Sequence, residues 1–265
     1  MYYTDYHCHS ILSMDGQVPL ETLAEHMVRA GIHEMCLTDH FDLFDANARR
    51  CTASDWDWNA AIRQYDHALS LFEGKLTIRL GLEFGMGHVD PAVSRAVLDQ
   101  PRLDFVIGSV HNLSPRRGGG DLWYEDMSTP EACTRLLEDY FSSMEELVVT
   151  DFYDTLGHIP YPLRYMNGHA AIHPWLDRVS GILEAVISRG KALEVNTYRG
   201  QTIGEWAPVL KLFRDLGGEL VTVGSDAHAP IHAGLGIPEA YELLRELDFK
   251  AVCTYDRRKP VFHDL

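Results

Sequence analysis

The stretch "DYHCHS" at Asp5–Ser10 places two histidines one residue apart. Side chains of an extended strand alternate between two faces, so His7 and His9 should point one way and Cys8 the other. Two imidazoles on one face at the end of a strand make half of a metal site. The same spacing is also typical of a polar strand edge, so the rest of the chain must decide between the two interpretations.

The charge balance of the whole chain limits its partners. The 265 residues suit one large domain or two small ones. Lys and Arg total 23 against 39 Asp and Glu, a net charge of −16. That balance opposes binding to nucleic acid through a basic surface, and it disfavours anionic membranes. A small anionic substrate stays compatible with it, because bound metal ions can reverse the local field.

Targeting signals and cysteine usage both favour the cytoplasm. No apolar run is long enough to span a bilayer. Met1–Asp5 lacks a basic region followed by an apolar stretch, so no secretory signal is predicted. Five scattered cysteines without CxxC spacing predict neither a disulfide framework nor a structural zinc ribbon. The sequence does not indicate an oligomeric state.

Short apolar runs alternate with longer amphipathic segments along the chain. The predicted buried parallel strands are Glu34–Asp39, Leu76–Phe84, Asp104–Val110, Ala192–Asn196 and Glu219–Asp226. The predicted helices are Pro19–Gly31, Asp55–Gly74, Thr129–Val148, Trp175–Gly190, Glu205–Gly218 and Ile237–Asp248. This alternation predicts an α/β barrel or an open parallel sheet. The glycine-rich stretch Ser114–Asp121 is predicted to be a mobile surface loop.

Candidate metal ligands recur at the C-terminal ends of the predicted strands, which converge on one face of a β/α barrel. The nine candidates are His7, His9, Asp15, His40, Glu83, His111, His158, Asp226 and His228. Imidazole and carboxylate ligands together suit zinc, manganese or iron. Carboxylates that can bridge ions suggest more than one metal. His88 lies just beyond Glu83 and is not assigned as a ligand.

The order of these motifs resembles the PHP (polymerase and histidinol phosphatase) superfamily over essentially the full chain. The motifs that carry the resemblance are "HCHS…D", "TDH" at Thr38–His40, "GLE" at Gly81–Glu83, "GSVH" at Gly108–His111, "GH" at Gly157–His158 and "SDAH" at Ser225–His228. The stand-alone histidinol-phosphate phosphatase branch is the most similar, by "GHIPYPLRY" at Gly157–Tyr165, "LEVNT" at Leu193–Thr197 and "RRKPVFHDL" at Arg257–Leu265.

The resemblance implies a single domain over residues 1–265, a distorted (β/α)7 barrel with three divalent metal ions (zinc, manganese or iron). By position it implies that His7, His9, Glu83 and Asp226 hold the first ion. Glu83 would bridge to a second ion, held also by His111 and His158. Asp15, His40 and His228 would hold the third. The implied reaction is hydrolysis of L-histidinol phosphate, in histidine synthesis. Metal ions lower the pKa of a bridging water to about 7 and would supply a hydroxide nucleophile at neutral pH.

Three further residues are predicted to touch the substrate, a small phosphorylated compound. Arg164 and Arg199 follow strand ends and could form bidentate contacts with phosphate oxygens, although surface ion pairs are an equal alternative. Asn112 stands where the family usually has an aromatic residue. "NTYRG" at Asn196–Gly200 also departs from the family's longer "NTSG…R" segment.

The residues leave several roles and functions open. Glu83 is predicted to act in catalysis through the metals, and either Asp226 or His228 could relay a proton to the leaving group. Another phosphate ester or a nucleotide is an alternative substrate. A metal-dependent amidohydrolase is a more distant alternative, and Lys191, before rather than after a strand, fits its bridging lysine poorly. A non-catalytic metal-binding regulatory domain would be signalled by lost ligands. Arg116 and Arg117 could belong to a lid or be simply exposed.

Overall fold

The computed structural model describes residues 1–201 and 203–265, except for the side chain of Glu205. Its strands are β1 (Thr4–Asp5), β2 (Glu34–Leu37), β3 (His40–Asp42), β4 (Thr77–Gly85), β5 (Phe105–Ser109), β6 (Thr155–Leu156), β7 (Ala192–Asn196), β8 (Val221–Gly224), β9 (Ala251–Asp256) and β10 (Lys259–Asp264). The parallel strands run in the order β1-β2-β4-β5-β6-β7-β8, and β3 pairs with β4 beyond the end of β2.

Main-chain hydrogen bonds between β1 and β8 bring the two ends of this sheet together. The Tyr6 N–H donates to the Val223 carbonyl at 2.8 Å, and the Asp226 N–H donates to the His7 carbonyl at 2.9 Å. The sheet is therefore a nearly closed seven-stranded barrel with helices outside. The predicted α/β class and (β/α)7 barrel are confirmed.

Seven helices connect the strands in the described part of the chain. They are α1 (Leu20–Arg29), α2 (Trp58–Phe72), α3 (Pro91–Leu98), α4 (Pro130–Val148), α5 (Leu176–Ser188), α6 (Ile203–Asp215) and α7 (Ile237–Glu246). Side chains of Asp57, Asp90 and Thr129 accept hydrogen bonds from first-turn N–H groups and so fix the starts of α2, α3 and α4. Among the described residues, none of these helices is long and apolar enough to cross a membrane.

The antiparallel hairpin β9–β10 covers the N-terminal end of the barrel. The Tyr255 N–H donates to the Tyr6 hydroxyl at 3.0 Å, and the Arg258 N–H donates to the Asp104 carbonyl at 2.9 Å. A small apolar cluster fills this end, made of Tyr6, Cys36, Phe105, Ile107, Ala192, Cys253 and Tyr255. With one end of the barrel filled, the C-terminal strand ends are left to form a site.

The predicted elements are all present, with shifted ends, while four elements were missed. Helix α6 begins at Ile203, before the predicted Glu205, and α2 begins at Trp58 rather than Asp55. Helix α3 was missed because it is short and buries only Ser94 and Val97. The short β3 was also missed. The hairpin was missed because β10 is exposed along most of its length and has no apolar alternation.

Candidate metal centre

His7 and His9 follow β1 in an extended run and face the same side, as predicted. The Nε2 atom of His7 lies 2.9 Å from Oε2 of Glu83, and Nε2 of His9 lies 3.5 Å from Oδ1 of Asp226. The Cys8 thiol turns away and donates to a backbone carbonyl of β2 at 3.1 Å. The alternation of the strand therefore selects two imidazoles for the cluster and excludes the thiol.

Glu83, near the end of β4, is the centre of the cluster. Its Oε1 atom lies 2.8 Å from Nε2 of His158 and 3.1 Å from Nε2 of His111. Its Oε2 atom faces His7 and lies 3.0 Å from Nδ1 of His40. Burial alone would raise the pKa of Glu83, but the facing imidazoles hold it well below its usual value. Each oxygen thus faces a different pair of imidazoles, the arrangement of a carboxylate that can bridge two ions.

A further group forms at the rim of the cluster. The rings of His40 and His228 both stack against His9, with centroid distances of 4.2 and 4.1 Å, and their own centroids lie 5.9 Å apart. Oδ2 of Asp15 lies 2.9 Å from Nε2 of His228, and its Oδ1 lies 3.8 Å from Nε2 of His40. His40 also belongs to a compact group with Glu83 and His111, so it lies between the rim and the centre.

Four compact donor groups fit metal ions by geometry. Their atoms lie within 4.8 Å of one another in the sets His9–His40–His228, His7–Glu83–His158, His7–His9–Asp226 and His40–Glu83–His111. All nine predicted ligands are therefore brought to one end of the barrel, eight in these sets and Asp15 at the edge. Mixed imidazole and carboxylate donors are the set preferred by zinc and related transition metals.

Unpaired buried nitrogens support this fit. Within the described residues, Nε2 of His9, Nδ1 of His40 and Nε2 of His228 are buried without a hydrogen-bond partner. Buried polar atoms of that kind are rare and call for an explanation such as an ion. The nitrogens of His40 and His228 approach Glu83 and Asp15 to 3.0 and 2.9 Å without hydrogen-bond geometry. The two imidazole nitrogens therefore keep their lone pairs for an ion shared with the facing carboxylate oxygen.

The protonation of two imidazoles also suits ligation. Burial lowers the pKa of His9 well below its usual value, and the neighbouring His228 and His40 lower it further. Burial likewise lowers the pKa of His158, although Glu83 opposes that effect. Neutral imidazoles carry the free lone pair that a metal ion requires.

Two carboxylates that orient the imidazoles were missed by the sequence analysis. Oε1 of Glu194 lies 2.5 Å from Nδ1 of His7, and its Oε2 accepts the His158 N–H at 2.7 Å. Oδ1 of Asp42 lies 2.9 Å from Nδ1 of His111. Such carboxylates fix the ring orientation and tautomer of a ligand histidine. Glu194 could have been recognised in the sequence as an acidic residue in the middle of an apolar strand, "ALEVN" in β7.

A cavity of about 630 Å³ opens above the cluster. The cluster residues Asp15, His40, Glu83, His111, His158, Asp226 and His228 line its floor. Its walls carry aromatic rings, among them Phe41, Trp56, Trp123, Tyr161, Tyr165 and Tyr198. The cavity therefore joins polar donors to an apolar wall, a combination typical of small-molecule sites.

Both predicted arginines lie in this cavity. The Arg164 side chain is only 3% exposed; its Nη1 donates to Oδ2 of Asp226 at 3.2 Å and its Nη2 to Oδ1 of Asn196 at 2.7 Å. Its guanidinium lies 4.1 Å from the Tyr198 ring centroid, and that of Arg199 lies 5.2 Å from it. The geometry brings both cations to the cavity wall, with Arg164 held by the cluster itself.

The backbone around the cavity is strained at three non-glycine residues. Tyr198, Arg199 and Asp226 have φ angles of 41°, 60° and 59°, in the left-handed region. The Arg199 N–H donates to the Ser225 carbonyl at 3.1 Å, and the Asp226 N–H donates to the His7 carbonyl. Such strain persists only where the surroundings hold it, and it concentrates at functional sites.

The remaining predicted positions lie away from the cavity. Asn112 is buried behind the wall, where its Nδ2 donates to the Gly119 carbonyl at 3.1 Å, so the geometry does not bring it to the substrate space. Arg116 and Arg117 are exposed, and Nη1 of Arg117 donates to the Arg135 carbonyl at 2.9 Å.

Comparisons with known proteins agree with this geometry. A model of the PHP domain matches residues 5–198. A probable histidinol-phosphatase of Clostridium acetobutylicum is 26% identical, covering 94% of this chain and 95% of that protein. The histidinol-phosphatase of Lactococcus lactis is also 26% identical, over 96% and 95% of the two chains.

A solved structure gives the same fold. It is the histidinol phosphate phosphatase of Lactococcus lactis in complex with zinc, L-histidinol and phosphate. The two structures superpose with a TM-score of 0.82 at 23% identity, over 98% of each chain. At that identity the likeness shows the barrel alone.

Proposed function

The chain belongs to the PHP domain family, and from this premise we propose that it hydrolyses L-histidinol phosphate to L-histidinol and phosphate, a step of histidine synthesis. It is a phosphoric monoester hydrolase in this proposal, with residues 1–265 acting as one domain in the cytoplasm. The observation that carries the proposal is the convergence of imidazoles, carboxylates and the buried Arg164 on one cavity. The names of the full-length relatives supply the substrate.

Three divalent ions would be held by the nine predicted ligands. The compact group of His7, His9 and Asp226 supports one ion, and the presence of Glu83 in two other compact groups supports its proposed role as a ligand shared by two ions. His40 can serve either the Glu83 group or the rim group with His228. Bound divalent ions supply charge stabilisation for phosphoryl oxygens and a nucleophile at neutral pH.

Arg164 and Arg199 bind the phosphate in this proposal. Arg164 cannot swing freely, because Asp226 and Asn196 hold two of its nitrogens. In the described part of the chain, its buried Nε has no hydrogen-bond partner, and the same holds for Nε of Arg199. Each guanidinium therefore keeps at least one N–H available to an oxygen, and a planar fork is the geometry that phosphate prefers.

Asp226 is the better candidate for moving the proton. The Nδ1–H of His228 donates to the Asp226 carbonyl at 2.9 Å, which leaves Nε2 as the lone-pair side aimed at the cluster. The Asp226 side chain also lines the floor of the cavity. An ionised Asp226 can accept a proton at the cavity floor and pass it to the leaving oxygen.

A panel of phosphate monoesters tests the proposal directly. Holoenzyme loaded with zinc, manganese or iron is assayed on L-histidinol phosphate, p-nitrophenyl phosphate and adenosine monophosphate. We expect L-histidinol phosphate to give the highest kcat/KM under at least one metal. A higher value for the nucleotide would favour the second candidate, a nucleotide phosphatase, for which the exposed rings of Trp123 and Tyr124 (57% and 72% exposed) offer a stacking surface.

The phosphate contact is tested by Arg164→Lys. A point charge cannot reproduce the fork of the guanidinium, so kcat/KM should fall about tenfold to a thousandfold on every ester, at unchanged metal content. Arg117→Lys is the matched control, because Arg117 is exposed and away from the cavity. Equal activity of the Arg164 variant and the control would exclude Arg164 from phosphate binding and leave it to the metals and Arg199.

Two alternatives fit the structure less well. The ammonium of Lys191 lies 5.5 Å from the Tyr153 ring centroid, at the start of β7 and therefore at the opposite end from the cluster, so it cannot bridge metals as an amidohydrolase lysine does. A regulatory domain without catalysis would tolerate lost ligands, and all nine predicted positions keep ligand side chains.

A further inference from the structure

One wall of the cavity is a short segment that begins at Gly119 and is anchored at both ends. A Cβ atom added to Gly119 would lie 2.7 Å from the Phe44 ring, so the glycine packs directly on that ring. At the other end, the rings of Trp123 and Tyr165 meet edge to face with a centroid distance of 4.6 Å. Asp121 lies between these anchors and lines the cavity. The wall therefore presents a carboxylate between aromatic rings.

Main-chain contacts hold Asp121 next to the metal centre. Asn112 and Asp121 form an antiparallel bridge, and the Leu122 N–H donates to the carbonyl of the ligand His111 at 2.9 Å. The Asn112 side chain binds the Gly119 carbonyl from behind. The position of the Asp121 carboxylate is thus fixed by the segment that follows β5.

Asp121 differs from the other carboxylates of the cavity in its surroundings. Asp45 and Asp55 each pair with Arg49, at 2.9 and 3.1 Å. Asp42 faces a ligand imidazole, as does Asp15. The Asp121 carboxylate accepts the Trp123 N–H at 2.8 Å, and within the described residues no Lys, Arg or His nitrogen lies within 4.0 Å of it.

The Asp121 side chain is half-buried at the cavity wall, and its carboxylate has no direct cationic partner among the described residues. A cationic group of a bound substrate would form a charge-assisted hydrogen bond with it. Aromatic rings beside the carboxylate would attract the same cation through their π faces.

We propose that Asp121, with the rings of Trp123 and Tyr165, binds the ammonium group of the substrate, and so selects amine-bearing phosphate monoesters. The inference rests on the proposed phosphatase function and names a residue that sets its specificity. An aliphatic ammonium is charged at neutral pH, whereas an imidazole with a pKa of about 6.5 is mostly neutral. The carboxylate therefore discriminates by the amine.

The test compares two substrates that differ only by that amine. L-Histidinol phosphate and its des-amino analogue, which keeps the imidazole and the phosphate, are assayed with wild-type and Asp121→Asn holoenzyme. An asparagine can still accept the Trp123 N–H, so the wall keeps its local hydrogen bond. The ratio of kcat/KM for the amine over the des-amino compound should fall about tenfold to a hundredfold, mainly through KM, as for a lost charge-assisted hydrogen bond.

Asp126→Asn is the matched control. Asp126 is exposed on the same stretch of chain and accepts the Ser128 N–H at 2.9 Å, the same two-residue contact that Asp121 makes. Its substitution should leave the ratio at the wild-type value. A ratio that falls equally in both variants would assign the effect to the general charge of the protein and overturn the inference.

Other outcomes also decide the question. An equal loss on both substrates and on p-nitrophenyl phosphate in Asp121→Asn would mean that the residue acts through the metal centre, which contradicts a role in selecting the amine. A loss on both imidazole compounds but not on p-nitrophenyl phosphate would assign Asp121 to the imidazole instead.

The proposed function itself would fail if the wild type preferred p-nitrophenyl phosphate to L-histidinol phosphate. In that case phosphoethanolamine and ethyl phosphate provide the same amine comparison for Asp121, each tested as an inhibitor of p-nitrophenyl phosphate hydrolysis. Asp121→Asn should then weaken inhibition by the amine compound alone, and unchanged inhibition by both would overturn the inference.

Discussion

The two ends of the barrel both bury charged groups, but they satisfy them differently. At the N-terminal end, Arg79 pairs with Glu34 at 3.1 Å, and Arg258 pairs with Asp154. The Tyr6 hydroxyl donates to Glu34 as well. Glu34 and Asp154 thus each have a cationic partner and hydrogen bonds, as a structural network requires.

At the C-terminal end, imidazole nitrogens and carboxylate oxygens face one another, but hydrogen bonds between them do not satisfy every buried nitrogen. His9, His40 and His228 each keep a buried nitrogen without a partner among the described residues. Within one fold, therefore, burial of charge does not distinguish a structural network from a site. The distinction lies in whether the buried atoms satisfy one another or converge on a space between them.

The largest effect should come from the central carboxylate. Glu83→Gln replaces a bridging ligand by a neutral amide, so the affinity for two ions should fall together. We expect metal content per chain to drop by more than one ion and kcat to fall by about 10⁴-fold, because bound ions supply several kcal/mol of transition-state stabilisation. Elemental analysis and initial rates measure the two quantities.

Glu242→Gln is the control for this prediction, since Glu242 is exposed on α7. It should retain wild-type metal content and rate. If Glu83→Gln kept its full metal content, the bridging assignment would be wrong, and the convergence of imidazoles on Glu83 would be a hydrogen-bonded network like that of the other end.

The opposite end should respond in stability rather than in activity. Arg258→Met leaves the buried Asp154 carboxylate without its cation, which should reduce the free energy of unfolding by about 3 kcal/mol. Metal content and kcat should stay at wild-type values. Adding Asp154→Asn to Arg258→Met should recover part of the loss, because no unpaired charge is then buried. Urea unfolding measures each variant, and a parallel loss of metal would contradict the separation of the two ends.

The sequence predicted the C-terminal end of the barrel much better than the N-terminal end. Candidate metal ligands can be recognised in a sequence because they are His, Asp and Glu residues at the ends of apolar strands. All nine side chains predicted on that basis lie together in the fold. The orienting carboxylates Glu194 and Asp42 were missed, because a single acid carries no periodic signal. Asn112 was expected to touch the substrate, but its role in the structure is to hold the Asp121 segment from behind.

The ion pairs at the N-terminal end, Arg79–Glu34 and Arg258–Asp154, were not predicted for a different reason. Their partners come from distant parts of the chain, and Arg258 reaches Asp154 only because the hairpin β9–β10 folds across the end of the barrel. The hairpin strand β10 is exposed and lacks apolar alternation, so its sequence resembles a polar tail. Pairings of this kind depend on topology that local patterns do not encode.

A smaller effect on the metal centre should come from Glu194→Gln. The substitution weakens the contact that orients Nδ1 of His7, so the ion held by His7 should bind about 10- to 100-fold more weakly. Competition with a chromophoric chelator measures the affinity. Glu184→Gln, on the exposed face of α5, is the control and should bind as the wild type does. Unchanged affinity in a folded Glu194→Gln variant would restrict Glu194 to a structural role.

The smallest effect is expected at His88, which tests whether an unpaired buried nitrogen alone is enough to indicate a metal site. Both ring nitrogens of His88 are buried without hydrogen-bond partners among the described residues, yet no ligand group includes it. Its Nε2 lies 3.8 Å from the Glu146 carboxylate. If convergence rather than an unpaired nitrogen defines the site, His88→Gln should leave metal content and kcat unchanged, and lost metal would contradict that rule.

The same substitution should change the response of the protein to acid. Burial lowers the pKa of His88 to about 4, whereas the unfolded imidazole has a pKa of about 6.5. The unfolded state therefore binds more protons between these values, so this contribution to stability is lost as the pH falls below about 6.5. Between pH 7 and 5.5 the loss is about 1.2 kcal/mol, which His88→Gln removes because glutamine does not titrate. Urea unfolding of chelator-treated wild type and variant at the two pH values isolates this difference, since removal of the metals is then common to both. Equal acid sensitivity in the two proteins would mean that His88 is protonated in the folded state, and its unpaired nitrogens would then need another explanation.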